Sequence, residues 1–379
     1  MKNILFIGTL TEKHCKDGYT NAGNGLLSVL LEMKKRKLIK NIEAVNLANI
    51  YQNQIIMQKY DIVILVMNPF FLNNQGNQEI LKSLKTHTKK IFLQIVWETD
   101  PLPSYWNWMW NSDIFDGFIT PSRFVEQLLK NKTKKDIFYI PHYIDTSQFS
   151  QIDIEKKVNE KIFTVLTIGQ WTKRKGLEEA IAGFSRALSI FPDCRLIVKY
   201  SGMKDINSLD IEAQVRNIII MNSPKISSPI YVSNEEASIE ELIDLYQNSS
   251  LLLFPSRGEG FGLPVAEAMS VGIPVLYTGW SSLPEVAIAK GNLPIKYLLD
   301  ESIGMSQFGY EKGSKYAVPF MTHMIQLLEY KYFLWKEDKA KYFEETFENY
   351  KVIEERFGKE AIIKYLLEFV NHDNSGETL

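Results

Sequence analysis

Cysteine is scarce here: Cys15 and Cys194 are the whole complement of a 379-residue chain. That excludes a disulfide framework and any cysteine-ligated metal site, and two free thiols fit a reducing compartment. An excess of charge of one sign is also missing. Lys plus Arg number 43 against 45 for Asp plus Glu, a formal net charge of −2. No general attraction to nucleic acid is therefore expected. No apolar run approaches the length of a membrane span. The opening MKNILFIGTL holds only Ile4 to Ile7 before Gly8, which is short for a signal-peptide core and reads as a first strand. Low-complexity sequence is absent apart from a polar tail from Asn371. These absences leave a cytoplasmic globular protein as the expectation, long enough for two domains of ordinary size.

What is present is a rhythm. Short apolar strands alternate with helices through the first half. Strands are expected at Ile4 to Gly8, Ile62 to Met67, Ile91 to Trp97, Ile114 to Ile119 and Ile137 to Ile140. A polar loop carrying Gly18, Gly23 and Gly25 should follow the first, with helices starting at Leu26 and Arg123. Thr146 to Lys161 is polar and reads as a linker. The rhythm then restarts with strands at Phe163 to Ile168, Arg195 to Tyr200 and near Ile218 to Met221, and helices at Leu177 to Ile190 and Ile239 to Tyr246. Beyond Tyr316 the chain reads as helical and charged. Such alternation argues α/β architecture, with two parallel sheets each covered on both faces. The expected domains are residues 1–150 and 151–358.

The densest signal is FPSRGEGFGLPVAEAMSVGIPV, from Phe254 to Val275. Leu251 to Phe254 reads as a buried strand, and Pro255 and Ser256 end it. Gly258, Gly260 and Gly262 keep side chains away, so backbone N–H groups can approach a ligand. Pro264 suits a first helical turn, and Gly272 suits its stop. A helix N-terminus behind a glycine loop attracts phosphate. Glu259 and Glu267 flank this anion site, which makes sense for a phosphate that carries sugars, since carboxylates accept well from paired hydroxyls. A surface helix with two solvated acids is the alternative. A second stretch, LTIGQWTKRKGLEEAI, again reads strand, loop, helix, and crowds Lys173, Arg174 and Lys175 just before Gly176. Cations at a helix N-terminus conflict with its dipole unless an anion lies between them. The other reading is a solvated basic loop.

The Glu259-to-Glu267 spacing, the intervening Phe261-Gly262 and the trailing EAMSVGIPV resemble the donor-binding motif of retaining glycosyltransferases of family four. The resemblance implies a GT-B fold, two Rossmann-like domains facing each other across a cleft. It also implies that a last helix, about residues 359–371, returns to the first domain. The implied activity is transfer of a sugar from a nucleotide-diphosphate donor, a UDP- or GDP-sugar, to a hydroxyl with retention. Lys175 would neutralise the diphosphate, aided by Arg174 and by Gly260, Phe261, Gly262 and Leu263. Glu259 would hold sugar hydroxyls and Glu267 ribose hydroxyls. The family usually has an arginine soon after the strand's glycine, where Gly169 is followed by Gln170. That departure motivates a rival, a sugar-nucleotide-binding or scaffold subunit without activity. No Asp-x-Asp motif or ligand cluster implies a metal, and no cofactor is expected.

The acceptor side rests on WETDPLPSYWNWMW, which carries four of the seven tryptophans. Glu98 sits where many family members have a histidine beside the transfer centre, with Trp97, Asp100 and Gly18 as further acceptor-side candidates. Gly18, Gly23 and Gly25 do not give the GxGxxG dinucleotide fingerprint. The acceptor would be a glycan, a lipid-linked glycan or a protein glycan. His142 is expected to be structural. Lys34, Lys35, Arg36 and Lys37 form the densest basic cluster, which suits a helix C-terminus. The sharper expectation is peripheral contact with an anionic inner membrane face.

Overall fold

Short continuous apolar runs become strands and the longer amphipathic stretches become the helices that link them. A computed structural model describes residues 1–10, 18–49, 59–149, 151–201, 208–223, 227–301 and 309–372. The chain divides into two compact units, one of Met1–Asp145 with Glu355–Leu379 and one of Thr146–Glu354. The first contains β1 (Asn3–Gly8), α1 (Gly18–Lys35), β2 (Asn41–Asn46), β3 (Tyr60–Val66), α2 (Gln75–Thr86), β4 (Thr88–Gln94), the short α3 (Asn107–Trp110), β5 (Gly117–Thr120), α4 (Arg123–Lys130) and β6 (Asp136–Tyr139). All six strands are parallel, in the order β2-β1-β3-β4-β5-β6. The interior strands are apolar on both faces, as burial on both faces demands.

The second unit opens with α5 (Ile154–Val158), β7 (Phe163–Gln170), α6 (Leu177–Ala187), β8 (Cys194–Ser201), α7 (Ser208–Asn222) and β9 (Ile230–Ser233). It continues through α8 (Ile239–Gln247), β10 (Leu251–Phe254), α9 (Leu263–Val271), β11 (Val275–Thr278), α10 (Leu283–Val286) and β12 (Leu293–Ile295). An antiparallel hairpin of β13 (Tyr297–Glu301) and β14 (Lys315–Pro319) follows, then α11 (Met321–Glu337), α12 (Lys339–Phe347), α13 (Asn349–Phe357) and α14 (Lys359–Val370). The second sheet is also parallel, in the order β12-β11-β10-β7-β8-β9. From β7 the chain winds outward to β9 and then returns to lay β10 on β7's other side. The gap between the carboxyl ends of β7 and β10 is thus a topological switch point, the place where doubly wound sheets bind ligands.

Helix α14 belongs to the core of the first unit. Its Ile362, Ile363, Leu366, Phe369 and Val370 join Leu26, Val29, Leu30 and Met33 of α1 over Ile4, Phe6, Ile62 and Ile64 of the sheet. Phe369 sits edge-on to Phe92, with ring centroids 4.8 Å apart. Each such side chain contributes about 1.5–3 kcal/mol when fully buried.

Several expectations need correction. Gly18, Gly23 and Gly25 do not lie in a loop, because α1 starts at Gly18. Gly23 and Gly25 serve packing instead: a Cβ there would meet Val66 at 3.4 Å and Tyr143 at 3.5 Å. Ile218 to Met221 is the end of α7, not a strand. Ile211 and Val215 are buried one turn apart while Ile220 and Met221 are exposed, so the period is helical and the run of isoleucines misleads. The strand beside β8 is β9. The polar stretch after Thr146 is built into the second unit: Ile152 and Lys157 are buried, and Lys157 Nζ donates to Ser249 O at 2.8 Å. The strand expected to reach Trp97 stops at Gln94. Cys194 is a buried free thiol whose pKa burial pushes up, and Cys15 and the tail from 373 lie outside the described residues.

Candidate functional site

The basic turn and the glycine loop meet at the switch point. Lys173–Lys175 form a single 3-10 turn after β7. Gly169 leaves room for the lysine stem, since a Cβ there would press on Lys175 Cβ at 3.2 Å. Gly176 then turns left-handed, with φ +69°, and opens α6. Its missing side chain matters twice. The conformation suits glycine, and a Cβ would lie 2.3 Å from Pro255 O at the end of β10. Close approach of the two loops therefore depends on Gly176. Gly176→Ala should lower stability by about 2 kcal/mol or more, read as a shifted midpoint in urea unfolding; an unchanged midpoint would show that the loops are not held this way.

Contact between the loops is dense. Arg257 N–H donates to Arg174 O at 2.7 Å, and the Arg174 guanidinium donates back to Gly258 O at 2.8 Å. Lys175 Nζ donates to Glu259 Oε1 at 2.6 Å, Ser256 Oγ donates to the same oxygen at 2.6 Å, and Arg174 Nη1 lies 3.3 Å from it. Glu259 is only 6% exposed. Burial alone would push its carboxyl up, but Lys175 and Arg174 outweigh burial and hold it below the usual carboxylate range. The conflict between cations and the α6 dipole is thus met within the chain by Glu259, and by Glu178 and Glu179 in the first turn of α6.

Glu259 is also fixed through its backbone. Its N–H donates to Ser281 Oγ at 3.0 Å, and Ser282 Oγ bonds Glu259 O at 2.8 Å and Phe261 O at 2.9 Å. Gly260 and Phe261 are buried beneath this pair. Gly262, at φ +99°, then opens α9 with no side-chain cap and no acid in the first turn, with Leu263 as its first residue. Several other helix starts do carry a cap: Asn74, Ser122, Asp153, Ser238 and Asp338 each accept from a backbone N–H. Glu267 stands one turn into α9, buried, its Oε2 accepting from the Tyr246 hydroxyl at 2.8 Å.

Arg257 braces the loop from the far side. Its guanidinium pairs with Glu179 and lies 5.2 Å over the Tyr316 ring, while its carbonyl accepts from Ala317 N at 2.8 Å. Ser256, Arg257, Ser281, Ser282 and Tyr246 escaped the sequence reading. Ser256 and Arg257 stand inside the quoted motif, but nothing in sequence ties Ser281, Ser282 or Tyr246 to it. Gln170 is exposed at the end of β7.

The acceptor-side candidates all belong to the first unit. Glu98 and Asp100 are half-buried just past the carboxyl end of β4. Trp97 presents no open face. Its ring is buried, edge-on to Trp106 at 4.8 Å, and its Nε1–H donates to Pro101 O at 3.2 Å. Trp106 and Trp110 continue this buried stack at 6.4 Å, so three of the four tryptophans fill core. Gly18 lies at the head of α1. The basic cluster closes α1 immediately before β2, at the amino end of the strands and away from Glu98. Arg36 is already paired, with Glu32 and Glu360, each at 2.8 Å. His142 is buried, and burial lowers its pKa to about 3, which suits a structural group. Among the described residues no cluster of three His, Cys, Asp or Glu could hold a metal, and no helix is long and apolar enough to cross a membrane.

Residues 124–287 match a family model described as Family 4 Glycosyltransferase in conflict systems. A GDP-mannose:cellobiosyl-diphosphopolyprenol alpha-mannosyltransferase of Xanthomonas oryzae pv. oryzae is 35% identical over 116 residues, 30% of this chain and 28% of that protein. The O-antigen chain mannosyltransferase B of Escherichia coli is 51% identical over 47 residues, 12% of each chain. The chain thus spans less than a third of these relatives. Among solved structures, HepE of Anabaena, crystallised with UDP and glucose, matches with a TM-score of 0.66 at 12% identity over 98% of this chain and 99% of that one. A glycosyltransferase from Rickettsia africae matches with a TM-score of 0.64 at 15% identity over 97% of each chain. Residues 124–287 thus resemble the family 4 glycosyltransferases in sequence, and nearly the whole chain shares the GT-B fold of these solved structures.

Proposed function

We propose that this chain is a retaining glycosyltransferase that moves a sugar from a nucleotide-diphosphate sugar to a hydroxyl. One observation carries the reading: two cations and a buried carboxylate from different loops converge at the switch point, with Lys175 and Arg174 at 2.6 and 3.3 Å from Glu259. In the free chain these groups satisfy one another. A diphosphate would draw Lys175 and Arg174, and the sugar hydroxyls would take their place on Glu259. Negative charge builds on the leaving diphosphate as the anomeric bond breaks. Lys175, Arg174 and the uncapped start of α9 are the groups that would stabilise it, without requiring a metal. Glu98 would orient the acceptor hydroxyl. The GDP-mannose and diphosphopolyprenol named for one relative, the O-antigen chain named for another, and the UDP and glucose bound by HepE support a UDP- or GDP-sugar donor and a glycan acceptor.

A binding subunit without activity is the second reading, motivated by Gln170. Arg174 argues against it, because it supplies a second cation beside Glu259 from the next turn. A thermal-shift screen over UDP-, GDP- and ADP-sugars, followed by mass analysis of turnover with a glycan panel, tests both readings. The right donor at a hundred times its Kd should stabilise the fold by about 2.7 kcal/mol, and transfer should follow. Tight binding without transfer to any acceptor would favour the inactive subunit. No shift with any of these nucleotides would defeat both.

A further inference from the structure

Glu267 is a buried carboxyl group with no cation beside it. It is 8% exposed, and the Tyr246 hydroxyl at 2.8 Å is its one hydrogen-bond partner among the described residues. That contact occupies Oε2 and leaves Oε1 unmatched. Oε1 has no protein partner and is not among the fully buried unpaired atoms, so this otherwise buried acid keeps one oxygen open to a ligand. Tyr246 is itself fully buried. It projects from α8, with the Phe149 ring 6.4 Å away, and burial raises its pKa well above 10. Its hydroxyl is therefore a proton donor at every physiological pH. Two influences act on Glu267: burial pushes it up, to about 7, and the Tyr246 hydrogen bond pulls the other way. No charged side chain from α8, α10, β10 or β11, the elements packed on α9, adds to these among the described residues.

We propose that Tyr246 is a positioning residue for nucleotide recognition, pinning one oxygen of Glu267 so that the other accepts from the ribose hydroxyls. This rests on the donor reading above. A proton linkage follows. Ribose hydroxyls donate to the ionised form, so binding lowers the pKa of Glu267 and expels a proton wherever the free carboxyl is protonated. Affinity should rise with pH through weakly acidic values and level off above about 7. In Tyr246→Phe the ionised carboxylate loses its donor. The pH at which affinity levels off should then move upward by about one unit, a loss of about fivefold at pH 7 that is recovered in alkali.

The test is calorimetric titration with a UDP-sugar and a GDP-sugar, whose doubly esterified diphosphates do not titrate in this window, from pH 5.5 to 9. It uses the full chain, Tyr246→Phe and Glu267→Gln, with unfolding midpoints as a check on folding. Proton release is read by comparing buffers of different ionisation enthalpy. The wild type should release most of one proton per nucleotide at pH 6 and almost none at pH 9. Glu267→Gln, and the wild type with a 2′,3′-dideoxynucleotide sugar, should bind weakly with no such pH dependence. Two results overturn the proposal: a Tyr246→Phe profile that keeps the wild-type midpoint, or a loss that alkali does not restore. Absence of binding by either nucleotide to the wild type at any pH instead removes the donor reading itself.

Discussion

Lys175→Met should destabilise the second unit and abolish nucleotide-sugar binding. Lys175 and Glu259 are both nearly buried, with side chains 13% and 8% exposed, and their contact is 2.6 Å. Removing one partner of such a pair leaves an uncompensated buried charge and typically costs about 3–5 kcal/mol. Arg174 at 3.3 Å and Ser256 at 2.6 Å still face Glu259, so the low end of that range is expected. Denaturant unfolding measures it. The double variant Lys175→Met/Glu259→Gln should recover much of the stability but none of the binding. The pH dependence separates the pair from simple packing. Glu259 is held below the usual carboxylate range, so its contribution is complete above that range and is lost as pH falls through its lowered pKa. Without Lys175 the loss should begin at higher pH. A Lys175→Met variant as stable as the parent would mean that the pair contributes nothing to the fold.

Glu259→Ala should leave a folded protein with turnover reduced on the order of a hundredfold, matching about 3 kcal/mol of transition-state stabilisation from one well-placed group. The backbone of residue 259 stays in place, because Ser281 and Ser282 hold its N–H and carbonyl rather than its carboxylate. Lys175 and Arg174 lose their partner but gain freedom to reach a diphosphate, so affinity for the free nucleotide diphosphate should hold or rise. This divergence, with kcat falling while nucleotide affinity does not, distinguishes a sugar-directed carboxylate from a structural one. Equal kcat/KM in variant and parent would remove Glu259 from the site.

The switch-point site was legible because each half of it sits in a short strand-loop-helix segment with its own glycines. Gly176 and Gly262 mark the left-handed openings of α6 and α9, and the charged residues stand beside them. What brings the halves together, β10 returning to lie on β7, follows from the alternation of strands and helices but not from any one residue. Tyr246 was not legible. It reaches Glu267 from another helix, and an isolated tyrosine on the apolar stripe of an amphipathic helix looks like packing. The tryptophans misled for the opposite reason. Their density suggests a binding surface, yet three of the four stack on one another and on Phe118 inside the first unit. The helical end of α7 was misread because four apolar residues in a row carry no period.

The return of α14 has a consequence for biosynthesis. The first unit takes its structure from both ends of the described chain, whereas the second is one continuous stretch. On the ribosome the opening sheet and α1 emerge early, but the apolar face they share stays uncovered until Ile362 to Val370 have been translated. The Thr146–Glu354 unit has all its strands in hand before that point. It can therefore fold first, while the earlier-made portion waits for its last helix with greasy surface exposed to chaperones and to aggregation.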